Sequence, residues 1–340
     1  MRIFDPLAFA ARDHEPPDRA PLDVVAYFSM EIAVDDAIPT YSGGLGVLAG
    51  DTLRAAADLG VPMVGVTLIY RNGYIKQKLD AEGNQSEVPW EWKPDEVLEP
   101  VPGRVSITIE GREVQIQAWR YVIEGVFGYS RTVLFLDTDL PENDPRDRDI
   151  TDRLYGGDAF NRLKQEAVLG LGGVELIHAL GLDGNVVYHM NEGHSALIAL
   201  GLLERRLEQH KQATPVHADI DAVRAVCVFT THTPVPAGHD KFPWDMVSPV
   251  LGPQRADLLQ RSQCCIGGTL NMTYLALRFS RYVNGVALLH EQVSESMFPG
   301  YPIDAVTNGV HAPTWVSRPF SELFDRHIPN WPRSPQYMRY

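Results

Sequence analysis

Cysteine is scarce in this sequence. Only three cysteines occur in 340 residues, at Cys227, Cys264 and Cys265, and no C-x-x-C spacing joins them. Adjacent cysteines such as Cys264 and Cys265 are poorly placed to pair with each other, so neither a disulfide framework nor a cysteine zinc site is predicted. A reducing compartment fits this usage, and we expect a cytoplasmic protein.

Long apolar runs and a positive charge excess are also missing. No stretch of about 18 apolar residues occurs, and the amino terminus lacks the pattern of a secretory signal, so no membrane association is expected. Asp and Glu number 44 against 30 Lys and Arg, which gives a net charge of −14. This balance disfavours nucleic-acid binding, although local amides and a few cations can still bind an anion.

Several catalytic signatures are absent as well. The sequence has no Walker pattern, no H-E-x-x-H and no G-x-S-x-G, which excludes a P-loop NTPase, a zincin and a serine-elbow hydrolase. No metal site is predicted. Neither an internal repeat nor a low-complexity segment is present.

What the chain does contain is an alternation of strands and helices. Residues 24–30 and 61–70 are apolar runs of strand length, and 45–59 between them has helical spacing that ends at Gly60. Later strands are predicted at 185–190, 225–230, 285–289 and 304–306, and helices at 155–181, 196–208, 272–282 and 291–297. The fold class is therefore α/β, a Rossmann-like domain with a mostly parallel sheet.

Residues 73–140 differ from this pattern. Short strands with turns between them are predicted at 75–78, 105–109, 114–118, 120–124 and 132–137, which indicates an antiparallel β insertion or sheet extension. Residues 139–153 are predicted as a loop. We expect residues 1–22 to be an N-terminal extension, 23–310 to be the Rossmann-like domain, and 311–340 to follow it as a separate segment.

Polar runs follow several of the predicted strands. They are residues 42–44, 191–194, 231–233 and 307–309. Ligands in open parallel sheets lie outside the carboxyl ends of the strands, so these runs predict a binding cleft.

The glycine run Gly43-Gly44 and Gly46 is open to three interpretations. Gly44-x-Gly46-x-x-Ala49 matches a dinucleotide fingerprint in form, but the preceding strand ends too early, and the next strand lacks the acidic residue that holds a ribose. Adjacent glycines at a helix start also let N–H groups approach an anion. A merely flexible loop is the third interpretation.

Residues 191–195 and 231–240 are the other two candidate segments. Asn191 and Ser195 have an alternative role as caps of the following helix, whereas Glu192 and His194 are predicted to face the cleft mouth. Pro234 and Pro236 stiffen the second loop, which can then hold a backbone carbonyl in place.

Taken together, eight motifs resemble the α-glucan (glycogen and maltodextrin) phosphorylases, most closely the short bacterial and archaeal type. In chain order they are YSGGLG (41–46), YRNGY (70–74), DTDLPEN (137–143), RLYGGD (153–158), NEGHSA (191–196), THTPV (231–235), VNGV (283–286) and TNGVH (307–311). The resemblance runs from about residue 24 to the end of the chain.

The resemblance implies a two-domain GT-B glycosyltransferase fold and phosphorolysis of α-1,4-linked glucan by orthophosphate, with retention of configuration. It implies that pyridoxal phosphate, linked to a lysine of a carboxyl-terminal domain, takes part. Residues 311–340 then correspond to the start of the interdomain crossover, the carboxyl-terminal domain is missing, and no lysine of this sequence matches the cofactor motif.

Roles follow from the same resemblance. His232 presents its main-chain carbonyl to the anomeric centre, and Tyr70 lines the cofactor pocket. The implied substrate-binding residues are Gly43, Gly44 and Leu45 for phosphate, and Asn143, Glu192, His194, Thr233 and Asn284 for the glucan.

Three functions remain open at this point. The first is a phosphorylase lobe that is incomplete alone, whether it comes from a truncated gene, is one half of a split gene that works with a separate carboxyl-terminal chain, or is an expressed fragment. The second is a nucleotide-sugar glucosyltransferase related to glycogen synthase, which shares a Gly-Gly-Leu element. The third is a non-catalytic glucan-binding or regulatory module.

Overall fold

A computed structural model describes residues 24–333 apart from 89, 91, 183, 263 and 264. The expected N-terminal extension, residues 1–22, lies outside the described residues. The strands are β1 (Val24–Ser29), β2 (Met63–Leu68), β3 (Lys76–Leu79), β4 (Gln85–Val88), β5 (Glu99–Ile109), β6 (Arg112–Glu124), β7 (Ser130–Asp137), β8 (Val186–Asn191), β9 (Cys227–Thr230), β10 (Lys241–Pro243), β11 (Cys265–Ile266), β12 (Thr269–Asn271), β13 (Tyr282–Gly285) and β14 (Asp304–Ala305).

Helices separate most of these strands. They are α1 (Gly44–Leu59), α2 (Pro145–Arg148), α3 (Ala159–Ala167), α4 (Gly173–Ala179), α5 (Leu197–His210), α6 (His217–Val226), α7 (Trp244–Leu251), α8 (Pro253–Arg261), α9 (Met272–Arg278), α10 (Leu288–Met297), α11 (Ala312–Trp315) and α12 (Arg318–His327). A π-helical stretch, Val168–Gly172, joins α3 to α4.

One nine-stranded sheet dominates the fold, in the order β14-β13-β9-β8-β1-β2-β7-β6-β5. Neighbours from β14 to β7 are parallel, and β6 and β5 continue the sheet antiparallel. The predicted α/β class with an antiparallel extension is therefore confirmed. Within the predicted β insertion, however, β7 pairs in parallel with β2 and belongs to the main sheet.

Alternate residues of the central strands enter two hydrophobic clusters, one on each face of the sheet. Phe28 of β1 packs with Leu68 and with α3, α4 and α5 in the larger cluster. Tyr27 packs with Leu53 of α1 in the smaller one. Both faces are thus covered, which is the usual condition of a parallel sheet.

Helix α1 lies against the chain that follows β1. The Ala33 N–H donates to the Gly46 carbonyl at 2.9 Å, and a Cβ on Gly50 would lie 1.9 Å from the Ala33 oxygen. Gly50, which lies just after the fingerprint-like Gly44-x-Gly46-x-x-Ala49, therefore makes room for backbone contact. Gly60 ends the helix in the left-handed conformation at φ 68°, as predicted.

The same helix holds the segment that follows β14. Asp51 accepts hydrogen bonds from the His311 N–H and from Trp315 Nε1, at 3.1 and 2.9 Å. Asp58 lies 2.9 Å from His311 Nε2. Both carboxylates are buried, so α11 is tied to the side of α1 by polar contacts.

Several local predictions need correction. The predicted loop 139–153 contains α2, whose start carries a proline and the cap Asp144. Strands predicted at 114–118 and 120–124 are one strand, β6, and the helix predicted at 155–181 is divided by the π-helical stretch. The strand predicted at 285–289 is wrong, because β13 ends at Gly285 and α10 begins at Leu288. Apolar Val286 to Leu289 was ambiguous between strand and helix by pattern alone.

We predict that Gly50→Ala destabilises the protein by more than about 2 kcal/mol, because the new methyl meets backbone rather than a movable side chain. Alanine is the better helix former by roughly 1 kcal/mol, so the steric effect must exceed that gain. Chemical denaturation measures the difference. Gly184→Ala, where no atom lies within 4 Å of the added Cβ, is the control and should change stability little.

Candidate functional site

Four strands end in one row of polar residues. In the parallel pairing, Ser29 of β1 lies opposite Asn191 of β8, and Asn191 lies opposite Thr230 of β9. Thr230 in turn lies opposite Asn284 of β13. The row crosses the carboxyl edge of the sheet, where the sequence predicted a cleft.

Hydrogen bonds run along this row in a defined direction. An amide oxygen can only accept, so His232 Nε2 donates to Asn191 Oδ1 at 2.6 Å. Asn191 donates to the Ser29 hydroxyl at 3.0 Å, and Ser29 donates to the Glu31 carbonyl at 2.7 Å. The imidazole of His232 is therefore held through three strands. Asn191 does not cap α5, and Ser195 donates to the Phe28 carbonyl instead, so the capping alternative is wrong for both.

Glu192 lies directly behind the loop that carries His232. Its carboxylate accepts from the Gly193 N–H at 2.9 Å, the His232 N–H at 2.8 Å and the Thr233 hydroxyl at 2.9 Å. The sequence predicted that Glu192 faces the cleft mouth. Glu192 is only 3% exposed, however, so it lies beneath the loop. Its φ of 72° is unusual for a residue with a Cβ, and these three bonds stabilise that conformation.

The peptide unit of His232 is consequently held on both sides. Its N–H is bound by Glu192 and its ring by Asn191, while no described residue donates a hydrogen bond to its carbonyl oxygen. A carbonyl held in this way is a preorganised dipole that a ligand can meet without reorganisation of the loop.

A second set of charged groups surrounds His194. Its Nε2 lies 3.3 Å from Asp240 Oδ2, and Arg162 Nη2 lies 3.3 Å from the same oxygen. Arg162 Nε is also 3.3 Å from Glu166 Oε1. Among the described residues, His194 Nδ1 is buried and has no hydrogen-bond partner, which leaves it available to a ligand.

Tyr155 joins this set to the glycine loop. The Arg162 guanidinium lies over the Tyr155 ring at 4.6 Å, and the Tyr155 hydroxyl donates to Glu31 Oε1 at 2.7 Å. Glu31 also accepts from the N–H groups of Ser42 and Gly43, at 2.6 and 3.1 Å. No described residue accepts a hydrogen bond from the N–H of Gly44 or Leu45, which begin α1.

Burial dominates the electrostatics of the histidines. It lowers the pKa of His194 to about 4, helped by the Arg162 charge, and lowers the pKa of His189 to about 4, helped by His232. Both rings are therefore neutral at neutral pH. A neutral His194 that donates from Nε2 to Asp240 has Nδ1 free as an acceptor, which suits a hydroxyl.

The pKa values of two buried carboxyl groups, Glu166 and Glu192, are shifted in opposite directions. Burial and the nearby Asp240 charge raise the pKa of Glu166 well above its usual value. Burial also opposes the charge of Glu192, but the two neighbouring imidazoles and the N–H donors outweigh it and lower the pKa of Glu192. The loop that carries His232 is thus bound to an ionised carboxylate.

The structure places the remaining predicted residues as follows. Thr233 contacts Glu192, and Asn284 accepts from the Thr230 hydroxyl at 3.0 Å. Asn143 is not brought into the row, because its carboxamide accepts from the Gln115 N–H and donates to the carbonyls of Gln115 and Thr138. The Tyr70 hydroxyl is fully buried and donates to the Met30 carbonyl at 2.8 Å.

Sequence reasoning did not single out Glu31, Arg162 or Tyr155. Glu31 follows the predicted strand 24–30 directly, so its position was the signal that could have found it. Within the described residues no group of three His, Cys, Asp or Glu side chains could hold a metal ion. Burial raises the pKa of the Cys227 thiol to about 12, which removes it as a nucleophile. No helix in the described ranges has the length and apolar character of a membrane span.

Comparison with known proteins gives three informative relatives. The chain is 38% identical to the maltodextrin phosphorylase of Thermococcus litoralis, over 89% of this chain and 38% of the relative. It is 39% identical to the glycogen phosphorylase of Mycobacterium tuberculosis (88% and 38%) and 32% identical to that of Aquifex aeolicus (89% and 46%). The chain thus spans less than half the length of these relatives. No model of a protein family matches it.

The loss of folding stability at low pH tests whether the buried imidazole of His189 is neutral. His189 binds a proton near pH 6.5 when unfolded but only near pH 4 when folded, so its contribution is present above pH 6.5 and is lost as pH falls towards 4. We expect His189→Gln, which can keep the bond to Thr230, to reduce the stability loss between pH 6.5 and 4 by about 1–3 kcal/mol.

Urea denaturation at several pH values measures this effect. His217→Gln is the control, since the His217 side chain is 79% exposed. An unchanged pH slope in His189→Gln would contradict the assignment of His189 as a neutral buried ring.

Proposed function

We propose that the chain belongs to the glycogen/maltodextrin phosphorylase family and supplies the glucan-facing part of an α-glucan phosphorylase. The reaction is the transfer of a terminal α-1,4-linked glucose to orthophosphate, which yields glucose 1-phosphate with retained configuration. The phosphorylase relatives imply a GT-B fold, of which the nine-stranded domain is one half.

The His232 peptide is the observation that carries this proposal. Glycosyl transfer develops positive charge at the anomeric carbon, and a preorganised carbonyl dipole stabilises such charge in a site that excludes water. The Glu192 and Asn191 bonds aim the peptide without using its oxygen. Glu192 is then a positioning residue, and Thr233 contributes through its bond to Glu192.

Other groups of the cleft suit a sugar. The His194 Nδ1 and Thr231 hydroxyl atoms are buried without partners among the described residues, so a bound hydroxyl group satisfies them. Asn284, at the end of β13, extends the polar edge toward the same ligand. Asn143 is better explained by its three backbone bonds, and its predicted sugar contact has no free donor to support it.

Orthophosphate is assigned to the start of α1. The N–H groups of Gly44 and Leu45 have no acceptor within the described part of the chain, and the 16-residue helix adds its dipole at that end. Gly43 differs from its predicted role, since its N–H already donates to Glu31.

Pyridoxal phosphate is a feature of this family, and the described residues do not fit it alone. The sequence has six lysines (Lys76, Lys78, Lys93, Lys164, Lys211 and Lys241), and within the described residues none of their amines joins the hydrogen bonds that hold Glu31, Asn191, Glu192 and His232. Lys164, for example, pairs with Glu110 at 2.9 Å. Tyr70 keeps only an acceptor role for a cofactor, because its proton is donated to Met30. We therefore assign the lysine that binds the cofactor to a carboxyl-terminal part.

The two alternative functions differ in their ligands. A nucleotide-sugar glucosyltransferase would release glucose from a nucleoside diphosphate donor, and a glucan-binding module would hold maltodextrin without turnover. Relatives named as glycogen and maltodextrin phosphorylases favour phosphorolysis.

We predict that the 340-residue chain alone forms no glucose 1-phosphate from maltodextrin and orthophosphate. Addition of the separately expressed carboxyl-terminal part of a phosphorylase relative, loaded with pyridoxal phosphate, should restore turnover. A coupled glucose 1-phosphate assay measures both. Turnover by the chain alone would refute the need for a second part, and maltodextrin binding with no turnover in the mixture would favour the binding module.

An apolar surface fits the partner part. Trp315 and Phe320, on the successive helices α11 and α12, are 55% and 58% exposed. Surfaces of this kind mark protein interfaces. We assign this surface to the carboxyl-terminal part, whether it lies on a separate chain or a longer one.

Without that part, we expect the chain to self-associate through the same surface. Phe320→Glu should shift the sedimentation profile towards monomer. The matched control is Leu79→Glu, since Leu79 is 67% exposed on β3, far along the chain from this surface. A monodisperse monomer of the unaltered chain would contradict the assignment.

A further inference from the structure

The glycine loop, residues 42–45, is already bound to a carboxylate of the protein itself, that of Glu31. The Glu31 carboxylate lies where the loop turns into α1 and accepts from the Ser42 N–H at 2.6 Å and the Gly43 N–H at 3.1 Å. The Ser42 hydroxyl lies 3.3 Å from the same carboxylate. Glu31 is 3% exposed, so this is a buried contact and not a surface ion pair.

The chain is built to admit this carboxylate. A Cβ on Gly46 would lie 2.8 Å from Glu31 Oε2, so a side chain there would displace it. Tyr155 supplies a further hydrogen bond to Oε1, and Arg162, which lies over the Tyr155 ring, is held by Asp240. Glu31 itself is placed by the Ser29 hydroxyl at its carbonyl.

The two amides that Glu31 occupies directly precede the two that remain open. Gly44 and Leu45 follow Ser42 and Gly43 without interruption, so an anion on the open amides lies close to the Glu31 carboxylate. Like charges at neighbouring sites repel and weaken each other's binding, most strongly where water is excluded.

We infer that the Glu31 carboxylate positions the glycine loop and, as a like charge beside the open amides, lowers the affinity of the loop for a phosphate-class anion. This inference rests on the proposed function, because it concerns the same loop. In the free protein the carboxylate satisfies the first amides and keeps the loop in one conformation. When orthophosphate binds, the repulsion limits its affinity and so favours release of the bound anion.

The test compares Glu31→Gln with Glu31→Asp in the full 340-residue chain. Glutamine has the shape of glutamate, and its amide oxygen can still accept from Ser42 and Gly43, but it carries no charge. Aspartate keeps the charge, but its side chain is one methylene shorter and does not reach the Ser42 and Gly43 amides. The probe is inorganic phosphate, titrated by isothermal calorimetry, with amide shifts of Gly44 and Leu45 followed by NMR.

We expect Glu31→Gln to bind phosphate about tenfold more tightly than the unaltered chain, and Glu31→Asp not to gain affinity. A gain in phosphate affinity distinguishes this role from a purely structural one, because the loss of a structural contact would lower the affinity. Equal gains in both variants would overturn the inference, because loop freedom and not charge would then be the cause. An unchanged or lower affinity in Glu31→Gln would also overturn it.

Two controls complete the experiment. Asp219→Asn removes another buried carboxylate at a helix start, where Asp219 accepts from the Val216 N–H, and should leave phosphate affinity unchanged. Hydrogen exchange of the Ser42 and Gly43 amides should be faster in Glu31→Asp, which shows that the loop contact is lost in a folded chain. If neither the unaltered chain nor Glu31→Gln binds phosphate, the repulsive role of Glu31 fails, while maltodextrin binding and reconstituted turnover still test the proposed function separately.

Discussion

The register between β1, β8, β9 and β13 is the constraint on which the candidate site depends. Because these strands are parallel and paired without a shift, Ser29, Asn191, Thr230 and Asn284 arrive at one edge in a single row. A slip of one residue in any strand would turn its last polar side chain to the opposite face. The hydrophobic clusters on both faces oppose such a slip, so the packing of the core and the geometry of the site have the same cause.

From this row the polar network spreads in two directions. On one side Glu192 and Asn191 hold the His232 peptide, and on the other the Ser29 hydroxyl reaches the backbone of Glu31. Glu31 then holds the glycine loop, while Tyr155 and Arg162 return from that loop to His194 and Asp240. The part of the site that we propose for the glucan and the part that we propose for phosphate are therefore joined by one connected set of hydrogen bonds and ion pairs.

Much of this arrangement was predictable from the sequence, because it depends on short-range signals. The strand at 24–30, the helix that ends at Gly60 and the polar runs after the strands all follow from local periodicity and turn chemistry. The roles of single side chains were less predictable. That Asn143 binds backbone, that Glu192 lies beneath its loop and that Glu31 reaches Ser42 are contacts between distant parts of the chain, and no local pattern encodes them. The same holds for the glycines of α1, whose pattern suggests nucleotide binding. A Cβ on Gly46 would meet the side chains of Tyr41 and Glu31, and a Cβ on Gly50 would meet the backbone of Ala33.

Helix α1 links two parts of the molecule that are separate in sequence. Its first turn carries the amides of the glycine loop, and the buried Asp51 and Asp58 along its length hold His311 and Trp315. A helix of 16 residues is a stiff rod about 24 Å long, and it is secured here by backbone contact at Gly50. A tilt of α1 therefore moves both of its ends, so the orientation of the loop amides and the orientation of α11 change together.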